Sequence, residues 1–451
     1  MFFVAVMPHV FDLFVFRRKP DAPANTIISY SMISNPDVNT QNIPVTTYIH
    51  IIGDSETNIW GLSGRERLQR MSKAFTRIRL VDSSERIPAH AQALFLRADH
   101  LFDARVLMAL INTRANLVLC SDKGQPVAVR IADGDMPRVL ESLGDVEKGE
   151  AFSALPRYTL KDLNLLDLQQ NLKKRNPPYV LPISKDNYQT LESELFARSY
   201  KGVTDLVTKW LWPMPAFWAT RFCVRFGIWP NHVTLLSLVF AVLAGVAFWH
   251  GHYGMGLLMG WLMTFLDTVD GKLARVTITS SRLGDVLDHG LDIIHPPLWY
   301  MAWGVGVTTA TLTQVPDLTV IFWLILIGYV GGRLCEGVFQ LWIASFDIFI
   351  WRPLDSFNRL VTARRNPNLI LLTFGWFIGR PDIGLWLVII WHLLSTIFLA
   401  IRVIMGWQAR RSHGPLRSWF EEIVPGQDEG KLAVRIFAPL AVKVDDRKFT
   451  D

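Results

Sequence analysis

Length, composition and charge limit what the chain can be. It has 451 residues, half of them hydrophobic, and a mean hydropathy of +0.23, which is high for a soluble protein. The formal net charge of +6 is modest, and no nucleic-acid partner is predicted. The three cysteines, Cys120, Cys223 and Cys335, lie far apart without C-x-x-C spacing, so neither a disulfide framework nor a zinc cluster is indicated.

The front of the chain predicts a small α/β domain between two less regular segments. Residues 1–44 begin with an apolar run that is short for a membrane span and has no small-residue cleavage site, so they are interpreted as a poorly defined N-terminal segment. Residues 45–150 alternate short apolar runs such as "VTTYIHII" with helical patterns such as "GRERLQRMSKAF", which indicates an α/β fold. Residues 151–202 are predicted to form a connector, because the prolines of "KKRNPPYVLP" end any helix.

A membrane-embedded region is predicted over residues 203–405. Residues 203–226 mix Trp and Phe with Lys and Arg, which favours a helix lying in the cytoplasmic interface; the alternative is a packed helix of the soluble region. Six apolar stretches follow, against the ~20 residues needed to cross a bilayer. They run over 231–250, 254–269, 286–307, 318–345, 368–380 and 383–405.

Basic residues predict how these stretches are oriented. Lys and Arg precede the first stretch, lie between the second and third and between the fourth and fifth, and follow the sixth, whereas the alternate loops carry almost none. The positive-inside rule then predicts six transmembrane helices with both termini cytoplasmic. Residues 406–451 become a cytoplasmic tail, and a bacterial inner membrane is the expected location.

Paired carboxylates interrupt the apolar stretches. Asp267 and Asp270 lie three apart at the cytoplasmic end of the second stretch, and Asp288 and Asp292 lie four apart at the start of the third; each spacing puts both members on one helix face. At the bilayer centre, four lone carboxylates would cost about 12 kcal/mol in total, so they must face a hydrated cavity. Hard oxygen ligands without a nearby cysteine favour Mg²⁺ or Mn²⁺.

The residues between the two pairs indicate phosphoryl transfer. Gly271 allows a ligand to approach the backbone, Ala274 permits close helix contact, and Arg275 offers a planar donor for phosphate. Divalent ions together with an arginine suit phosphate chemistry beside a bilayer. The alternative is the cation or proton pathway of an ion-coupled transporter, where intramembrane carboxylates also occur.

Arg333 and Glu336 leave a second choice open. They lie three apart inside the fourth apolar stretch, where they either form a structural pair or place Arg333 in an acceptor-phosphate pocket facing the metals.

The acidic segment resembles the full signature of the CDP-alcohol phosphotransferase family. The matching pattern is Asp267-x2-Asp270-Gly271-x2-Ala274-Arg275-x8-Gly284-x3-Asp288-x3-Asp292. The resemblance extends over residues 203–405 and includes a "PNHVT" stretch entering the first span. Members of this family transfer a phospho-alcohol from a CDP-linked donor to an acceptor hydroxyl and release CMP, in phospholipid or headgroup synthesis.

The resemblance implies roles for the matching residues. Asp267, Asp270 and Asp288 would hold two Mg²⁺ or Mn²⁺ ions, and Asp292 would be both a ligand and the general base for the acceptor hydroxyl. The CDP moiety would be lined by Gly271, Ala274, Arg275, Gly284 and Thr234. The implied partners are CDP-diacylglycerol or another CDP-alcohol, an acceptor alcohol, the bilayer and a second copy of the chain in a homodimer.

The front domain is similar to sugar-nucleotide-type nucleotidyltransferases. "GLSGRERLQRMSKAF" and "ALFLRADHLFDARVLMAL" carry the similarity, which implies a metal-binding role for Asp99. No Gly-rich loop precedes residue 61, where that fold needs backbone amides around a triphosphate, so a degenerate, non-catalytic domain is predicted. The alternative is a bifunctional enzyme that makes CDP-inositol and transfers it to inositol phosphate, like an inositol-phosphate cytidylyltransferase fused to a di-myo-inositol phosphate phosphate synthase.

Overall fold

The computed structural model describes most of the chain. The described ranges are 46–75, 77–88, 90–132, 155–163, 165, 168–279, 282–309, 317–424 and 426–438. The predicted N-terminal segment 1–44 lies outside them. A front region built around a β-sheet is followed by a region that is almost entirely helical, as the sequence predicts.

The front region is an α/β domain built on one mixed sheet. The strands of the described residues are β1 (Thr47–Ile52), β2 (Ile78–Val81), β3 (Gln92–Arg97), β4 (His100–Phe102), β5 (Leu117–Cys120), β6 (Pro126–Ile131), β7 (Arg157–Tyr158), β8 (Leu168–Gln169), β9 (Lys174–Arg175) and β10 (Val180–Pro182). The main sheet has the order β2-β1-β3-β6-β5-β7, with β1 parallel to both neighbours and β6 antiparallel to both of its own. Alternate residues of β1 are buried, as expected of a strand with one face on a core.

Two helices pack against this sheet, α1 (Gly64–Ser72) and α2 (Ala104–Asn112). Ser63 accepts a hydrogen bond from the backbone of Glu66, whose side chain accepts one from the backbone of Ser63, so a capping box fixes the start of α1. A Cβ at Gly64 would lie 1.7 Å from the carbonyl oxygen of Ala98. Only glycine therefore lets α1 begin this close to the end of β3.

The connector leads through α3 (Tyr188–Arg198) and a π-helical turn (Val207–Leu211) into α4 (Pro213–Arg225). Large apolar side chains along this turn and α4 are exposed, as expected of a helix lying in a membrane interface. They are Trp210, Leu211, Met214, Trp218, Phe222, Phe226 and Trp229.

Six long helices and two short ones make up the rest of the structure. They are α5 (Pro230–Trp249), α6 (Tyr253–Val276), α7 (Arg282–Thr309), α8 (Leu318–Val338, continued as a π turn over Phe339–Ile343), α9 (Pro353–Val361), α10 (Arg365–Phe377), α11 (Pro381–His413) and α12 (Leu432–Phe437). The six longest, α5 to α8, α10 and α11, coincide with the six predicted apolar stretches.

By length and composition, three of the described helices qualify as membrane spans, over Pro230–Trp249, Leu318–Ile343 and Pro381–His413. The six-span topology stays a prediction. α6 and α7 carry the charges of the acidic motif, and α10 has 13 residues, fewer than the ~20 that cross a hydrocarbon core.

The helices share an aromatic core in which both motif helices, α6 and α7, pack against α5. α5 packs along both α6 and α7. Trp299 of α7 donates to the carbonyl of Ala241 in α5 at 2.8 Å, and Trp303 donates to the carbonyl of Pro381 at the start of α11 at 2.9 Å. Because the indole N–H groups of Trp299 and Trp303 both have partners, these two large side chains fix the packing of α7 without leaving their own donors unsatisfied.

Candidate active site

A cavity of about 510 Å³ lies where the acidic ends of α6 and α7 face α8 and the start of α10. Its lining side chains include seven cationic and five anionic ones, from the connector as well as the helices. The cationic ones are Lys201, Lys272, Arg275, Arg333, Arg359, Arg364 and Arg365, and the anionic ones are Asp205, Asp267, Asp292, Glu336 and Asp347. A hydrated cavity between charged helix ends is what the intramembrane carboxylates require.

Two of the predicted carboxylates converge on one cation. The guanidinium of Arg365 contacts Asp267 Oδ2 at 2.5 Å and Asp292 Oδ1 at 2.8 Å. Asp270 lies one turn beyond Asp267 on α6, is buried, and accepts a hydrogen bond of 2.8 Å from the hydroxyl of Thr234 on α5. The structure thus gathers Asp267, Asp270, Asp292 and Thr234 around the same end of the cavity.

The structure describes the backbone but not the side chains of two motif residues. Gly284 and Asp288 belong to helix α7, but the side chains of residues 282–289 lie outside the described part of the structure. Their predicted roles at the CDP moiety and the metals therefore stay predictions.

Gly271 and Arg275 line the cavity, whereas Ala274 is half-buried and does not. A Cβ at Gly271 would meet only the Arg275 guanidinium, at 3.7 Å, so the packing of the protein does not itself require glycine at this position. The missing side chain leaves room beside the cavity for a ligand. Arg275 donates to the carbonyl of Ser199 at 3.2 Å, which ties this helix end to the connector.

The acidic end of the cavity fits a divalent cation. Among the described side chains, no three His, Cys, Asp or Glu residues form a group close enough to hold an ion, and Asp288 is not one of those side chains. The donors present are carboxylate oxygens, which Mg²⁺ and Mn²⁺ prefer. The Arg365 guanidinium bridges Asp267 and Asp292, so these two carboxylates already face one shared positive group.

The opposite wall of the cavity is cationic and incompletely paired. Arg333 contacts Glu336 Oε2 at 3.4 Å, and Arg364 contacts the same oxygen, so the structural pair predicted for Arg333 and Glu336 forms while Arg333 also lines the cavity. Two nitrogens of Arg359, Nε and Nη1, are buried without a hydrogen-bond partner in the described structure. Leaving buried donors unpaired is costly. Unpaired cationic donors in a cavity wall are therefore typical of a site that binds an anion.

Two further features, one in the connector and one just after it, were not predicted from the sequence. The cavity walls around the Lys201 ammonium, with Lys173 and Arg275 nearby, lower the pKa of Lys201 to about 8. Asp205 accepts a hydrogen bond of 2.9 Å from Asn366 and so holds the start of α10, next to Arg365. The basic pair in "TARRNPN" resembles an ordinary topology signal, and only its distant carboxylate partners identify Arg365 as part of the site.

Asp99 of the α/β domain is bound by its own neighbours. His100 Nδ1 lies 2.7 Å from Asp99 Oδ1, and Arg97 contacts both carboxylate oxygens. Burial acts to raise the pKa of Asp99, but the hydrogen bonds from His100 and Arg97 outweigh it and lower that pKa. Arg65 donates to the carbonyls of Gly53 and Ile51 at 2.7 and 2.9 Å, across the loop where a nucleotidyltransferase would surround a triphosphate.

Comparison with known proteins finds similarity in the helical region that contains this site. Residues 227–348 match the family model described as CDP-alcohol phosphatidyltransferase. Choline/ethanolaminephosphotransferase 1 of Arabidopsis thaliana is 40% identical over 103 residues, which are 20% of this chain and 26% of that protein. Cholinephosphotransferase 1 of Rattus norvegicus is 28% identical over 206 residues (43% and 48%).

A bacterial relative matches a shorter part of the chain. Phosphatidylinositol phosphate synthase of Streptomyces avermitilis is 33% identical over 91 residues, 18% of this chain and 37% of that protein. The chain thus spans less than half the length of each of these relatives, and the matched family segment contains the motif helices α5, α6 and α7.

Proposed function

We propose that the protein is a membrane-bound CDP-alcohol phosphotransferase of phospholipid or headgroup synthesis, because residues 227–348 match the CDP-alcohol phosphatidyltransferase family model. It transfers a phospho-alcohol from a CDP-linked donor to an acceptor hydroxyl and releases CMP. The proposal rests on one observation: Asp267 and Asp292, which belong to two different helices, both contact the guanidinium of Arg365 inside the cavity.

In the proposed mechanism, the acidic end of the cavity holds the reacting diphosphate. Asp267, Asp270, Asp288 and Asp292 would hold two Mg²⁺ or Mn²⁺ ions, which neutralise phosphate charge and orient an in-line attack when bound. Asp292 accepts the proton of the acceptor hydroxyl as that oxygen attacks phosphorus. Its half-exposed side chain leaves it accessible to an acceptor entering the cavity.

The donor is proposed to lie along α6. Gly271 leaves space for the CDP moiety, Arg275 donates to its phosphate, and Gly284 lines the same side. Ala274, which does not line the cavity, would act on this site only by permitting close helix contact. Thr234 orients Asp270 through their 2.8 Å hydrogen bond, which is how a residue of α5 would act on the nucleotide end.

The acceptor is proposed to carry an anionic group. Arg333, Lys201 and Arg359 all line the cavity, and two buried donors of Arg359 have no partner within the described part of the chain. A phosphate would give these donors partners through charge-assisted hydrogen bonds. This favours a phosphorylated alcohol, as the name of the Streptomyces relative suggests, over a neutral diacylglycerol, although the other relatives are named for choline and ethanolamine.

The remaining proposals concern the setting of the enzyme. We infer six transmembrane helices with both termini in the cytoplasm, a bacterial inner-membrane location and a homodimer. The α/β domain is proposed to be a degenerate nucleotidyltransferase, because Asp99 and Arg65 are bonded within the domain.

Screening the purified full chain against CDP-diacylglycerol and other CDP-alcohols, with neutral and phosphorylated acceptors, tests the function. CMP release that requires Mg²⁺ or Mn²⁺ is expected, and Asp292→Asn should lower it about a thousandfold through loss of the base. Asp317→Asn is the matched control, since Asp317 caps α8 far from the cavity and asparagine caps equally well. Cation flux without CMP release would instead identify a transporter.

A further inference from the structure

Helix α1 of the α/β domain contacts the end of the helix that carries the donor site. Arg67 Nη1 donates to the carbonyl of Val276 at 2.9 Å, and Arg70 Nη1 donates to the carbonyl of Thr277 at 2.8 Å. Three residues apart, the two arginines lie on one face of α1. They reach carbonyls at the end of α6 that have no partner within that helix, at the end where the helix dipole favours positive charge.

A shared hydrophobic cluster reinforces this contact. Trp60, just before α1, is 1% exposed and donates through Nε1 to the carbonyl of Glu192 at 2.9 Å. Its ring packs against Phe196 of α3 and Phe217 of α4. The same cluster contains the α6 residues Val269, Leu273 and Val276, so the α/β domain, the connector and α6 bury one common core.

The clamped end of α6 lies next to groups that line the cavity. Lys272 and Arg275 are within five residues of Thr277, and both face the cavity. Arg275 also donates to Ser199 of the connector at 3.2 Å, and the Lys272 ammonium lies 3.7 Å from the ring centroid of Tyr200. A displacement of the last turn of α6 would therefore move Arg275 relative to the donor.

We propose that the α/β domain is a positioning module for the transferase site, with Arg67 and Arg70 as the positioning residues that hold the cytosolic end of α6. The inference rests on the proposed function, since it assigns the domain a part in the same reaction. The domain acts through the backbone of α6, and neither arginine touches substrate. Its effect falls on the donor, because Gly271 and Arg275 lie on the clamped helix, whereas Arg333 and Lys201 belong to other elements.

Amide hydrogen exchange and steady-state kinetics on the full chain in lipid nanodiscs test this assignment. Arg70→Met is expected to speed exchange at residues 274–279, where Thr277 and Thr279 donate to Leu273 and Ala274, while the thermal midpoint stays unchanged. CMP release should show an approximately tenfold loss in kcat/KM for the donor with an unchanged KM for the acceptor. Arg70→Lys should restore most of the loss, because lysine still donates to the Thr277 carbonyl.

Arg65→Met is the matched control, since Arg65 lies on the same helix but bonds Gly53 and Ile51 within its own domain. Equal donor losses for Arg65→Met and Arg70→Met, or exchange at 274–279 unaffected by Arg70→Met, would overturn the proposal. Faster exchange confined to 274–279 supports the clamp even without a known donor. Failure of the unmodified protein to release CMP from any donor counts against the proposed function instead.

Discussion

The α/β domain and the cavity of the helical region treat their charged side chains in opposite ways. In the α/β domain, Asp99 is bonded by both of its neighbours and the buried Arg105 is paired with Asp103 at 3.0 Å. In the cavity, two buried nitrogens of Arg359 have no hydrogen-bond partner among the described residues, and two arginines share one oxygen of Glu336. Buried charges that are fully satisfied serve structure, whereas under-satisfied ones are stabilised by a ligand, so the cavity is where substrate is expected.

The sharpest way to break this comparison is to neutralise one aspartate in each region. Asp270→Asn is expected to lower CMP release about a hundredfold through weaker metal binding, because Asp270 is buried beside Asp267 and held by Thr234. Asp99→Asn is expected to change CMP release less than twofold. Both variants are measured at saturating Mg²⁺ and again with added CTP and inositol phosphate.

Formation of a CDP-alcohol from CTP that depends on Asp99 would contradict the comparison, since the α/β domain would then hold a working site of its own. A tenfold loss of CMP release in Asp99→Asn would contradict it as well.

A variant of Arg365 tests whether a metal ion and this arginine share the carboxylates of the cavity. Breaking a buried ion pair costs about 3–5 kcal/mol, and since the Asp292 side chain is 48% exposed, we expect Arg365→Met to lose about 2 kcal/mol of unfolding free energy in EDTA. An ion at a hundred times its Kd adds about 2.7 kcal/mol, so Mg²⁺ should raise the thermal midpoint of the variant more than that of the unmodified chain. Equal midpoint shifts in both proteins would show that Arg365 and the ion do not share these carboxylates.

Lys201 offers the smallest of the expected effects. Its pKa is lowered to about 8 by the enclosing cavity and by nearby positive charge, so the ammonium is charged at pH 7 and loses its proton as the pH rises toward 9. The KM for a phosphorylated acceptor should therefore rise between pH 7 and 9. Lys201→Met should raise this KM about tenfold at pH 7, the equivalent of ~1.4 kcal/mol. The KM of the variant should then depend little on pH. Lys201→Arg, charged throughout, is the matched control, and an acceptor KM that ignores both variants would remove Lys201 from the acceptor site.

Much of the helical region could be predicted because membrane helices need long apolar stretches. The ends were less predictable. The second apolar stretch stops at 269, yet α6 continues to Val276, because its polar residues face a cavity and need not leave the helix. The fifth stretch begins at 368, yet α10 begins at Arg365, where the guanidinium is buried against carboxylates rather than exposed in a basic loop.

The candidate site also contains some residues that the sequence predicts and others that it does not. The closeness of Asp267 and Asp292 follows from a short connection between two helices, so spacing alone suggested it. Arg365 stands 98 residues from Asp267 in the chain, and Lys201 comes from a connector with little regular structure, so no local pattern could place either one. The contact of Arg70 with Thr277, 207 residues away, likewise depends on how the α/β domain packs against the end of α6.

The row of bulky apolar side chains along α4 has a consequence for how substrates arrive. Indole and phenyl rings favour the headgroup layer, so these side chains are expected to set how deeply the protein inserts into the membrane. α4 leads directly into α5, and Thr234 of α5 donates a hydrogen bond to Asp270. The position of α4 in the headgroup layer would therefore hold the cavity near the phosphate groups of the lipids. Under the proposed function and topology, a lipid reactant would enter from within the bilayer with its acyl chains still in the hydrocarbon layer, and water-soluble reactants and CMP would exchange with the cytosol.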